Sequence, residues 1–257
     1  MYLETIKSPA DIKNYTAEQR RVLAQEMRDA LLKRASIHGG HFGPDFGIIE
    51  AIIALHTVFD SPTDKIVYDV SHQCYPHKML TGRVEAYIDE DKYDEVSGYT
   101  NPEESPHDLF NVGHTSTSIS LASGLAKARD LAGRRENVIA LIGDGSMSGG
   151  MTYEAMNELG DLRLPCIIIL NDNKMSISKP IGAFSKYLSQ AMAGETYQKF
   201  KSHVRELLSH APQSATYMAK RFENSLKLII PGMYFEELGL EYIGPVDGHN
   251  LADLISA

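Results

Sequence analysis

Two short apolar runs, Val138-Ile139-Ala140-Leu141-Ile142 and Cys166-Ile167-Ile168-Ile169-Leu170, interrupt a chain otherwise patterned mostly at helical spacing. Both read as β-strands. A helix-length segment joins them, which predicts one βαβ unit with parallel strands ending on the same sheet edge. Lys65 to Val70 predicts a third strand, with Ser71-His72 at its carboxyl end. Capping boxes at Ser8 and Thr16 predict helix starts, and Leu23, Met27, Ala30 and Leu31 carry the second helix to about Ala35. Gly39 and Gly40 stop it. Further helices fit Ile48 to Phe59 and the small-residue stretch Ser118 to Leu131. Residues 84 to 112 are polar and read as a long connection. Residues 182 to 230 read as a peripheral helical excursion, after which Glu241 to Val246 returns as a short strand. Asn250 is a candidate N-cap for a last helix that reaches Ala257 without a C-cap glycine. That ending reads as a truncation, a fragment or one subunit of a split enzyme. The pattern as a whole predicts an α/β fold, a mostly parallel sheet with helices on both faces.

Length and charge narrow the class. The 257 residues suffice for a full core, and no apolar run approaches a membrane span. The net charge of −9 comes without a basic stripe, which argues against nucleic acid as a partner. Two cysteines outside any CxxC pair, and no secretory signal, fit a cytoplasmic location.

Chemistry concentrates after the two apolar runs. Gly143-Asp144-Gly145 follows the first, and Asn173-Lys174-Met175 follows the second after 27 intervening residues. Asp144 and Asn173 therefore arrive together at the carboxyl edge, where open α/β sheets bind ligands. Their hard oxygens suit Mg²⁺, which completes its octahedron with phosphate oxygens. Gly143, Gly145, Gly149 and Gly150 allow close approach of a bulky anion to a helix N-terminus near residues 149 to 152. His41, His72 and His114 also fall at predicted element ends, where neutral imidazoles can bond a diphosphate or move protons near pH 7.

Gly-Asp-Gly followed by Asn at this distance resembles the thiamine diphosphate signature. Gly40-His41-Phe42, Asp69 to Lys78 (DVSHQCYPHK), Gly82-Arg83, Gly113 to Ser120 (GHTSTSIS), Asn171 to Ser178 and Phe235 to His249 extend the match. In that order they resemble the N-terminal, diphosphate-binding (PP-type) domain of the transketolase-like 1-deoxy-D-xylulose-5-phosphate synthase family, over nearly all of residues 1 to 257. The resemblance implies that His72, Gly113, His114, Thr115, Gly145, Ser146 and Asn173 contact thiamine diphosphate. It assigns Asp144, Asn173 and the main-chain oxygen of Met175 to Mg²⁺, and places His41 near the reacting carbon. It further implies condensation of pyruvate with D-glyceraldehyde 3-phosphate and a homodimer. A pyrimidine-binding domain, absent here together with the C-terminal domain, would come from the same gene product or a partner chain. His77 and Lys78 receive no role, Asp247 and His249 stand as outer-shell candidates, and His56 reads as packing.

Four departures from the family pattern mark this chain. Ser71 replaces a glycine, Cys74 an alanine, Asn111 a glycine, and Gly43 to Gly47 (GPDFG) a small Ala-Ser-Gly-Leu-Gly run. The last bears on the acceptor. It keeps open a different or split transketolase-like enzyme, alongside a non-catalytic cofactor-binding relic.

Overall fold

The computed structural model describes residues 1–172 and 232–257. The chain divides into two compact units, Met1–Ile177 with Val246–Ala257, and Ser178–Pro245. Within the first unit, α1 (Ala17–Ile37) opens on the Thr16 capping box: Thr16 Oγ1 accepts from Gln19 N and the Gln19 side chain accepts from Thr16 N. Gly39 and Gly40 end it at φ +81° and +116°, left-handed geometry that a Cβ resists. Next come α2 (Gly43–Phe46), α3 (Ile49–Val58), β1 (Lys65–Tyr68), α4 (Tyr75–Lys78) and a π-turn at Met79–Arg83. The predicted connection at 84 to 112 is partly helical. It holds α5 (Glu85–Ile88) and a 3-10 segment at Glu90–Glu95 before irregular chain leads to α6 (Ser118–Leu131). The unit continues through β2 (Val138–Gly143), α7 (Gly150–Leu162) and β3 (Ile167–Asn171).

The strands form a parallel sheet in the order β1-β2-β3, with Tyr68 beside Leu141 and Gly143 beside Asn171. Alternate residues serve opposite faces. Ile66, Tyr68, Ile139 and Leu141 join α1 and α3 in one buried cluster through Leu23, Met27, Ile49 and Ile52. Val67, Ala140 and Ile142 are also buried, and α6 packs on β1 and β2 and against α7. Ala122 and Ala126 let α6 approach closely. The α/β fold read from the pattern is the fold observed.

In the second unit, α8 (Met233–Glu237) is followed by residues without regular structure. The strand expected at Glu241 to Val246 does not form. Pro245 has no N–H to give a ladder, and Gly244 takes φ +137°. The helical excursion at 182 to 230 lies outside the described residues. Back in the first unit, α9 (Leu251–Ser256) starts as predicted, with Asn250 Oδ1 accepting from Ala252 N and Asp253 N. No helix among the described residues is long and apolar enough to cross a membrane.

Candidate functional site

Because the strands are parallel, β1, β2 and β3 end on one edge, and residues 69 to 72, 144 to 146 and 172 extend from it. The backbone turns sharply after β1. Ser71 N donates to Asp69 O around Val70, and Val70 and Ser71 hold φ of +58° and +66°. Left-handed geometry is strained for a β-branched valine, and strain of this kind clusters at functional sites. The turn delivers His72 against His41, with ring centroids 5.5 Å apart and edge-on. Tyr99 and Tyr75 flank His41 at 5.1 and 5.8 Å, and His41 N donates to the Tyr75 hydroxyl. Burial lowers the pKa of both imidazoles. Their mutual repulsion adds to this at His72, where Asp69 opposes it. Both are therefore neutral at pH 7, and His72 Nδ1 is buried with no hydrogen-bond partner.

The two glycine-rich loops meet. Ser116 Oγ donates to Ser146 O at 2.7 Å, tying the Gly113-His114-Thr115 loop to the Gly145-Ser146 loop. A Cβ on Gly149 would lie 2.0 Å from Ser116 Oγ, so only glycine permits this approach. Gly113, Gly145 and Gly150 face open space where a Cβ would stand. His114 is exposed, and its Nδ1 pairs with Thr115 O; it makes no ring contact with His41 or His72. Burial and then the like charge of Asp172 raise the Asp144 pKa. Asn173 and Met175, the other expected metal ligands, lie outside the described residues.

The helix N-termini at this edge differ. The Asp69 carboxylate closes α6: Oδ2 accepts from Ser116 N, and Oδ1 from Thr117 N and Ser118 N, all at 2.8–2.9 Å. No side chain caps α7, and its first turn carries no acid. Of the two, α7 is the one left without a side-chain cap, the arrangement that suits an anion.

Several residues of the same motifs are structural. His77 Nε2 meets Asp108 Oδ1 at 3.0 Å, and His77 Nδ1 meets His56 Nε2 at 2.8 Å, all buried. Arg83 forks onto both Asp108 oxygens. The fully buried Lys78 ammonium binds Ser97 O and Glu104. His77, Lys78 and Arg83 thus fasten residues 97 to 108 to the body, and His56, packed in the interior as expected, also hydrogen-bonds His77. Asp45 is also buried. Its Oδ1 accepts from Tyr75 N, and burial raises its pKa well above the usual range. The Asp45 carboxyl of the Gly43–Gly47 stretch therefore points inward and supports Tyr75 beside His41. His249 pairs with Glu50, which also binds Arg28, and Asp247 accepts from His249 N, so this segment secures α9. Asp69, Asp45 and Asp108 are organisers that the sequence pattern does not reveal, because their partners are main-chain amides and residues far along the chain.

Glycine-rich loops and a carboxylate at the carboxyl edge of a parallel sheet place this domain in the class of open α/β proteins, whose ligands bind at that edge. The family model described as 1-deoxy-D-xylulose-5-phosphate synthase matches residues 3–257, and the chain belongs to that family as its N-terminal region. It is 59% identical over 247 residues to 1-deoxy-D-xylulose-5-phosphate synthase of Campylobacter hominis, covering 96% of this chain and 41% of the relative. The enzymes of the same name from Wolinella succinogenes and Nitratiruptor are 54% and 55% identical, each over 95% of this chain. The chain spans about two fifths of the length of these relatives.

Proposed function

We propose that this chain is the diphosphate-binding, PP-type half of a thiamine diphosphate-dependent transferase. The reaction condenses pyruvate with D-glyceraldehyde 3-phosphate to 1-deoxy-D-xylulose 5-phosphate and releases CO₂, supplying isoprenoid, thiamine and pyridoxal precursors. Family membership across residues 3–257, with the site motifs in place, carries this reading. Bound thiamine diphosphate would supply the electron sink for CO₂ loss. The donor set fits that group. The uncapped α7 suits a diphosphate, and a divalent cation would offset the charge crowding of Asp144 and Asp172.

Asp144, Asn173 and the Met175 main-chain oxygen would hold Mg²⁺. Gly113, His114, Thr115, Gly145, Ser146, Asn173 and His72 would bind the cofactor. Neutral His41, steadied by Tyr75, would hold or move a proton at the acceptor. The aminopyrimidine-binding domain would come from the same gene product or a partner chain, in a cytoplasmic homodimer.

The test is CO₂ release from pyruvate by the complete gene product, with Mg²⁺, thiamine diphosphate and D-glyceraldehyde 3-phosphate. Calorimetric titration of the cofactor runs beside it. Turnover that Asp144→Ala abolishes along with metal-dependent binding supports the reading. Binding without turnover on these substrates would instead favour a transketolase-like enzyme with another donor or acceptor, and no binding a relic.

A further inference from the structure

Asp69 and Ser71 flank the strained Val70, and together they grip both sides of one loop. Asp69 accepts from the amides of Ser116, Thr117 and Ser118, on the carboxyl side of Gly113-His114-Thr115. Ser71 Oγ donates to Val112 O at 2.7 Å, on the amino side, and accepts from Thr100 N at 3.1 Å. Both side chains are at most 1% exposed, so neither reaches a ligand directly. The strained turn at Val70 thus sets His72 and the His114 loop from one point. Ser116, held by Asp69, carries that position across to Ser146.

We propose that Asp69 and Ser71 are positioning residues that set the Gly113–Thr115 loop, and through Ser116 the Gly145–Ser146 loop, for the diphosphate. The ligand in this inference rests on the function proposed above; the clamp itself does not. Ser71 exploits a backbone that glycine would adopt without strain. Its hydroxyl supplies two hydrogen bonds that a glycine cannot, so the loop is held more firmly here than a glycine would hold it.

Asp69→Asn and Ser71→Gly test this in the complete gene product. Asparagine keeps one acceptor oxygen for Thr117 and Ser118 but turns an N–H₂ toward Ser116 N. Ser71→Gly removes both hydroxyl bonds while relieving the left-handed strain, which offsets part of their loss. Amide hydrogen exchange is read without ligand. Protection of residues 112 to 118 should fall at least tenfold in either variant, while the β2 amides stay unchanged. Affinity for Mg²⁺–thiamine diphosphate should fall about tenfold, with affinity for unphosphorylated thiamine unchanged. Unchanged exchange in both variants overturns the clamp. Changed exchange with unchanged diphosphate preference overturns its positioning role. Absence of cofactor binding by the unaltered protein sinks the proposed function and leaves the exchange test standing.

Discussion

Two histidine pairs separate the working edge from its foundation. His41 and His72 stand 5.5 Å apart at the edge; His56 and His77 stand 5.0 Å apart in the interior. His72 and His77 come from one ten-residue motif. The interior pair is tied into a chain: His77 Nε2–H donates to Asp108, leaving Nδ1 to accept from His56 Nε2–H. That order needs the His77 ring neutral. Burial accordingly lowers both, and His56 furthest. The edge pair is half-buried, and His72 keeps an unpartnered nitrogen. Residue type does not distinguish the edge from its foundation, and neither does a spare ring nitrogen, since His56 Nδ1 is unpartnered too; partial exposure at the sheet edge does.

The strongest way to break this comparison is to unbalance the interior. Against the burial that would raise it, His77 and Arg83 hold the Asp108 carboxyl well below the ordinary range. Arg83→Met strands that charge, and urea unfolding should show a loss of about 3–5 kcal/mol. Acid should act next. For a histidine whose folded pKa is depressed, the unfolded state binds more protons below about pH 6.5, so stability falls as pH drops through that value. His56 and His77 should each contribute about 1.4 kcal/mol per pH unit. His107, lowered to about 4 by burial and then by His77 and Arg83, adds to the same slope down to that pH. A His56→Gln, His77→Gln double variant should flatten the melting curve between pH 6.5 and 5.

Smaller effects should appear at the edge. Gly149→Ala places a methyl on Ser116 Oγ and should cost about 1–3 kcal/mol while parting the two loops. His41→Gln should stay within about 0.5 kcal/mol of the unaltered protein in urea, yet lose about 10²-fold or more in turnover of pyruvate with D-glyceraldehyde 3-phosphate. Equal stability losses for His41→Gln and His77→Gln would erase the distinction between the pairs.

Sequence by itself determined the α/β class, the strand cores, the helix starts at Thr16 and Asn250, and the loops around Asp144 and His114. Strand burial, capping boxes and glycine loops are local in the chain, so neighbouring residues suffice to read them. It did not determine that Glu241 to Val246 stays irregular, because the proline and glycine there outweigh a weak strand pattern. Nor did it pair His77 with Asp108, turn Asp45 inward, or close α6 with Asp69. Those outcomes rest on partners 30 to 49 residues apart. Packing decides such pairings, since a buried polar group must find its bond wherever the fold supplies one.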